Sequence, residues 1–370
     1  MKKKRILNFY DLLIVEMPDS ILFDSLTEFE VDGICNPNAP ASIRFQEIVA
    51  INKSNLTMVS NYMAYSDDIE EIYIIDKNGK FCTSVFGKLD DANVEIDYEK
   101  GFTADYLLNF IVKPYLRGVL SKNGLAFIHA SSFSKNDKAT LLAAWAHTGK
   151  TSTLLRNIKD GAEYLGDDLS VIDRNGFIRP FPVPINLFYY NFKQIPEIKK
   201  DLSLWFKLKF ILTNTISSLF GFMNSLARSS KMKYLYYAGK TFFDAASHVP
   251  FRFKKEYLDR INIVRFKSQK VVLLERTASI NPDANLVVKD LKTEEFARRM
   301  QHCLNYEFQR FNELALSALW VPFYNGADLP NNQETEIYRQ FASRVNLKHV
   351  RIPQRMNFSS PKFLDILRQD

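Results

Sequence analysis

A chain of 370 residues, 46 % hydrophobic and 14 % aromatic, carries enough apolar material for a large core, and it shows no repeat period, which excludes disorder and solenoids. Its length predicts two domains. Cys35, Cys82 and Cys303 are too scattered for a zinc site and odd in number for a disulfide framework, so a reducing cytoplasm is the expected compartment.

The opening MKKKRILNFYDLLIVEMPDS has a basic head, but Asn8, Asp11, Glu16 and Asp19 interrupt any apolar run long enough for a signal peptide. It reads as the first strands of the fold. From 1 to 103, short apolar runs alternate with turn signals (LLIVEM, LTEFEV, EIYIID before KNGK, then FCTSVFG), which predicts a β-rich N-terminal domain. Residues 104–121, ADYLLNFIVKPYLRGVLS, have helical spacing, with Pro114 placed to kink or split the helix.

The pattern then changes. LAFIHASSFS (125–134) reads as one buried strand, SKNDK as a hairpin-like turn, ATLLAAW as a second strand, HTGKT as a loop, and TSTLLRNIKD as a short helix closed by Gly161. AEYLGDDLSVID gives a strand ending in two aspartates and a further strand, and Asp173-Arg174-Asn175-Gly176 is a hairpin turn before FIRPFPVP. That order predicts a phosphate-loop (P-loop) domain with a mixed sheet, an α+β fold, over 104–370.

A helical insertion at 186–255 holds the surplus charge. The net charge is +7, and between 193 and 255 twelve Lys and Arg stand against three Asp and Glu. Its stretch 210–227 has no charged residue and would be about 27 Å long as a helix, but polar residues on each turn suit an amphipathic helix better than a membrane span. An acidic partner, an anionic membrane face and a solvated helix face all fit the charge; no nucleic-acid motif accompanies it. Farther on, VVLLERT (271–277) reads as a strand and 291–320 as a long amphipathic helical region, and Pro330 breaks the chain before a last helix and a tail.

Gly149, Lys150 and Thr151 meet the requirement of a phosphate loop for a lysine point charge and a hydroxyl ligand of Mg²⁺ at a helix start. The glycine-rich half is altered: Ala144 stands at the leading position, and Ala146, His147 and Thr148 fill the turn. Alanine and β-branched threonine tolerate positive φ poorly, so the loop needs a geometry that avoids it. Asp167 and Asp168 follow at the end of a strand, where acidic groups are needed beside the phosphates. A bare strand-to-helix turn with a solvated lysine and an exposed acidic pair is the other reading. His248, His302 and His349 have no partners at ligand spacing.

The run from Gly124 to Pro184, with GLAFIHASS, GKT, YLGDDLSVID and NGFIRPFPVP, resembles the HPr serine kinase-like branch of the phosphoenolpyruvate carboxykinase-type P-loop fold. It is similar to the small kinases found beside peptide-modification gene clusters more than to HPr kinase/phosphorylase, whose downstream R-G-x-G-type segment it lacks. The resemblance implies an ATP- and Mg²⁺-dependent kinase acting on a hydroxyl, such as a serine of a peptide or protein. His129, Lys150, Asp167 and Asp168 would be catalytic, and residues from Ala146 through His147, Thr148, Gly149, Lys150 and Thr151 to Ser152 would bind nucleotide. Thr151 with Asp168 would hold the metal, Asp167 would be the base and His129 would orient it; the two aspartate roles are open to exchange. The alternative is a nucleotide-binding or degenerate P-loop module that docks a partner or membrane through its basic insertion.

Overall fold

The computed structural model describes residues 4–31, 39–145, 148–187, 249–251, 257–279, 286–326 and 331–353, together with 208, 215, 363, 365 and 366. Among the described residues the fold is mixed α/β, rich in strands and with few helices. The helical insertion expected at 186–255 lies almost wholly outside the described residues, as do its helix at 201–228, except for 208 and 215, and also Ala146, His147, His248 and Cys35.

The first sheet has eight strands: β1 (Lys4–Phe9), β2 (Leu13–Pro18), β3 (Ala41–Ile48), β4 (Thr57–Ser60), β5 (Met63–Ser66), β6 (Glu71–Ile75), β7 (Phe81–Thr83) and β8 (Asn93–Glu99). Their order is β1-β2-β3-β8-β7-β6-β5-β4, so β4 forms one margin. Along β3, Ala41, Ile43 and Phe45 are buried while Arg44 and Gln46 are exposed, the period-2 alternation of a half-buried strand.

A helical rod follows: α1 (Ala104–Leu107), a π-helical turn (Leu108–Val112) and α2 (Lys113–Lys122). Pro114 stands in the first turn of α2, directly after the π-helical turn, so the chain stays helical across the proline, and the irregularity expected there takes the form of that wider turn. Arg117 of this rod is 2 % exposed at its side chain and pairs with the fully buried Glu334 at 2.6 Å.

The second sheet begins with β9 (Leu125–Ile128), β10 (Ala130–Lys135) and β11 (Lys138–Ala144), and the single strand expected over 125–134 is therefore two. The break falls at His129: β9 pairs with β13 (Ser170–Asp173), while β10 pairs with β11 and β12 (Glu163–Gly166). Asn136 and Asp137 both take positive φ between Lys135 and Lys138, a two-residue hairpin of the twist-matched kind. Helix α3 (Lys150–Lys159) lies between β11 and β12, and β14 (Phe177–Arg179) returns on β13 through the expected turn.

Strands β15 (Ile185–Leu187) and β16 (Val249–Phe251) pair antiparallel, bringing the two ends of the basic insertion together. Then come β17 (Phe266–Arg276), β18 (Val287–Asp290), α4 (Thr293–Glu307), α5 (Gln309–Ala318), α6 (Asn331–Ala342) and β19 (Asn346–Ile352). The expected tail thus holds a strand. β19 lies parallel to β17, which lies parallel to β11, and β18 closes that side antiparallel.

The central strands are buried on both faces. Leu141 and Ala143 of β11 and Val271 and Leu273 of β17 join the large core shared with the first sheet, while Leu142, Ala144, Val272 and Leu274 pack in a second core with Leu154 and Leu155 of α3. That large core is continuous across the boundary expected near 103: Phe29 contacts Phe181 with ring centroids 5.5 Å apart, and the Tyr10 hydroxyl donates to the Pro180 carbonyl at 2.7 Å. Among the described residues, no helix is long and apolar enough to cross a membrane.

Candidate functional site

β11 and β12 are both antiparallel to β10, so they run the same way and end at one rim of the second sheet. The loop that starts at Trp145 follows β11, and Asp167-Asp168 follow β12. β10 starts at this rim, with Ala130 opposite Ala143, which brings His129 and Ser131 there as well. Ligands of α/β sheets gather outside the carboxyl ends of such strands.

Gly149 takes φ 99° and opens α3. It is the one residue with positive φ among the described residues of the loop, so the conformation that Ala and Thr tolerate poorly falls on the glycine. Thr148 keeps ordinary φ, and its hydroxyl donates to the Trp145 carbonyl. Lys150 is 6 % exposed, and its ammonium donates to the Ala144 carbonyl at 2.9 Å and to His129 Nε2. Burial lowers its pKa, against the opposing charges of Asp168, Asp167 and Glu307.

Thr151 Oγ1 donates to Asp167 Oδ2 at 3.0 Å, and Ser131 Oγ donates to Asp167 Oδ1. Asp167 is buried, and burial first and the Asp168 charge second push its pKa up to about 6, although Ser131, Lys150 and Thr151 favour the ionised form. Asp168 is exposed and sits at φ 63°, with the Leu169 N–H closing onto the Asp167 carbonyl at 2.8 Å. Left-handed backbone is tolerable for Asp, whose short polar side chain suits it. Ser152 is buried on α3.

Burial, and next the Lys150 charge, hold the His129 pKa down to about 3, so the ring is neutral. With Nε2 accepting from Lys150, the ring proton belongs on Nδ1, an assignment made from its neighbours. Nδ1 lies 3.0 Å from Glu307 Oε1, though out of line for a hydrogen bond. His129 therefore bears on Lys150 and Glu307, where the sequence pointed to Asp167.

Three residues here escaped the sequence. Ser131 left a faint trace, one of several small hydroxyl residues in a strand otherwise apolar. Glu307, at the end of α4 with a side chain 32 % exposed, left none; burial and the Asp168 charge raise its pKa against Lys150 and Lys113. Lys113, first residue of α2, is lowered by burial and opposed by Glu307, Asp168 and Asp105. Beside them Trp145 and Tyr306, both about half exposed, meet with ring centroids 4.8 Å apart. His349 pairs with Glu275 at 2.7 Å, well away in sequence from this set.

The Thr151 hydroxyl and the Asp167 carboxylate suit a hard cation such as Mg²⁺, which takes one or two carboxylates and completes its shell with phosphate oxygens and water. A cation there would also offset the burial and like-charge cost borne by Asp167. Among the described residues no group of three or more His, Cys, Asp or Glu forms a metal site by itself. The rim thus joins a helix start, a buried ammonium, two hydroxyls and two carboxylates in unlike surroundings.

Comparison with known protein families finds no family whose model matches the chain, and comparison with curated proteins finds no match.

Proposed function

We propose that the chain is an ATP- and Mg²⁺-dependent kinase of the HPr serine kinase-like kind, transferring the γ-phosphoryl group to a hydroxyl of a peptide or protein serine. The observation that carries this reading is the meeting of Lys150 and Thr151, at the start of α3, with Asp167 and Asp168, at the end of β12, on one rim. Positioning and charge are most of what phosphoryl transfer asks of a protein.

Lys150, released from the Ala144 carbonyl, would pair with the β- and γ-phosphates, and the N–H groups opening α3 would face them. Mg²⁺ held by Thr151 and Asp167 would supply neutralisation of the charge shared by those phosphates. Asp168, exposed on its left-handed turn, would take the acceptor proton as the acceptor oxygen bonds to the γ-phosphorus. The bond from that phosphorus to the bridging oxygen breaks, and ADP leaves with the electron pair. This exchanges the two aspartate roles first expected, because the Thr151 hydroxyl bonds Asp167. His129 would fix the lysine rather than the base.

The test is ADP release from ATP with a mixture of serine-containing peptides. Removing a general base costs roughly 10²–10⁴-fold, so Asp168→Asn should lose that much turnover while MgATP still binds. Turnover unchanged in Asp168→Asn and in Lys150→Ala contradicts the proposal.

The inward fold of Lys150 favours a second reading, a nucleotide-binding or degenerate module without transfer that docks an acidic partner or membrane surface through 186–255. It predicts nucleotide or partner binding that survives Asp167→Asn, and no turnover to lose.

A further inference from the structure

A cleft of about 520 Å³ is walled on one side by the helical rod and on the other by α5, with the β4–β5 turn and β6 behind. Tyr106 and Phe110 line it from the rod, Arg310, Glu313 and Ser317 from α5, and Tyr62 from the turn. Both walls are continuous with the site. Lys113, on which the charges of Glu307 and Asp168 act, stands three residues beyond Phe110 on the rod, and Glu307 stands one turn before Arg310.

The helix carries on from α4 into α5 with little interruption: the Phe308 N–H donates to the Leu304 carbonyl at 3.1 Å, and the Asn312 N–H donates to the Phe308 carbonyl at 2.9 Å. Residues 307, 310, 314 and 317 thus follow one face, and Tyr106 and Phe110 of the rod line the opposite wall. From Glu307 to Ser317 the wall is about 15 Å long at helical rise, the length of some four or five residues of extended chain. At the far end the flanking Leu316 and Trp320 are 66 % and 82 % exposed.

We propose that this cleft is the docking channel of the acceptor, an extended peptide segment whose hydroxyl residue reaches Asp168 while the neighbouring residues lie between the rod and α5. A cleft whose two helical walls lead on to Lys113 and Glu307 at one end, and that has exposed Leu316 and Trp320 near the other, fits a chain better than a compact metabolite. Tyr62, Tyr106 and Phe110 offer aromatic faces to apolar side chains, and Arg310 and Glu313 offer one charge of each sign. The proposal rests on the kinase reading for the identity of the reacting end, but peptide docking is measurable without nucleotide.

The probe is a displayed library of linear seven-residue peptides with a fixed central serine, selected on the full chain. The enriched peptides are then titrated against wild type, Ser317→Trp, which fills the channel from an α5 surface position, and Arg310→Glu. MgATP binding is measured in parallel, and a thermal melt confirms that both variants fold. Affinity at least tenfold weaker in both variants, with MgATP binding unchanged, is the expected result. Enriched peptides that bind both variants as tightly as wild type overturn the channel, and so does a library from which nothing enriches. Peptide binding that is lost in Ser317→Trp, in a protein that binds no MgATP, upholds the channel and overturns the kinase reading.

Discussion

The ammonium of Lys150 donates at 2.9 Å to the carbonyl of Ala144, the residue that stands at the leading glycine position of its own loop. In this arrangement the loop lysine and the end of β11 satisfy each other. His129 takes a second contact, so the lysine is buried with partners rather than left as an uncompensated charge.

Replacing His129 therefore acts on the lysine. The pKa of His129 in the fold, about 3, lies below its ordinary 6.5, so the ring favours the folded state fully above 6.5, and this contribution is lost as the pH falls through that value toward 3. His129→Gln, which keeps an acceptor for Lys150 but does not charge, should resist acid better than wild type between pH 6 and 4. Thermal melts across that range check it.

Asp167 has the opposite sign. Its pKa in the fold is raised from 3.8 to about 6, so its contribution is present below 3.8 and is lost as the pH rises through about 6. Asp167→Asn should be stabilised relative to wild type at pH 7.5 and not at pH 4. Because a metal needs the ionised carboxylate, MgATP binding should strengthen as the pH rises through about 6 in wild type, and this dependence should vanish in Asp167→Asn. Titrations at pH 5 and 7.5 read both.

Gly166 holds the acidic turn against its neighbours. A Cβ on it would lie 2.8 Å from the Leu169 carbonyl oxygen and 3.0 Å from that of Phe181, both backbone atoms that cannot swing aside. Gly166→Ala should cost about 1–3 kcal/mol, as overpacking does, and should weaken nucleotide binding by moving Asp167. A denaturant titration alongside a binding titration tests the two together.

Arg117 and Glu334 tie α2 to α6, with Gln301 donating to the same carboxylate at 3.0 Å and the guanidinium lying over Phe308 at 4.8 Å. Glu334→Gln leaves a buried cation short of its counter-charge and should destabilise by about 3–5 kcal/mol, whereas loss of the exposed pair of Arg339 with Glu294 should change stability far less. Chemical unfolding of Glu334→Gln and Glu294→Gln compares them.

What the sequence revealed followed local rules. The turns at Asn136-Asp137 and Asp173–Gly176, the glycine opening α3 and the strand–loop–helix–strand order around Lys150 depend on residues near in the chain, and they were legible. The break at His129 was not, because β9 and β10 are both buried and an unbroken apolar run conceals which neighbour each half pairs with. β19 was missed for a similar reason: NLKHVRI earns its place only by lying beside β17, a partner some 75 residues away. Glu307 reaches the rim through the packing of α4, and no local pattern marks a glutamate that will face a lysine so distant in sequence.

The most direct measurement is calorimetric titration of the full chain with ATP, with and without Mg²⁺, in wild type and in Lys150→Ala. A working loop predicts heat that depends on Mg²⁺ and is lost in the variant while its thermal melt shows it folded. Wild-type protein that is folded and gives no heat with ATP and Mg²⁺, or a Lys150→Ala variant that binds as tightly as wild type, would contradict it.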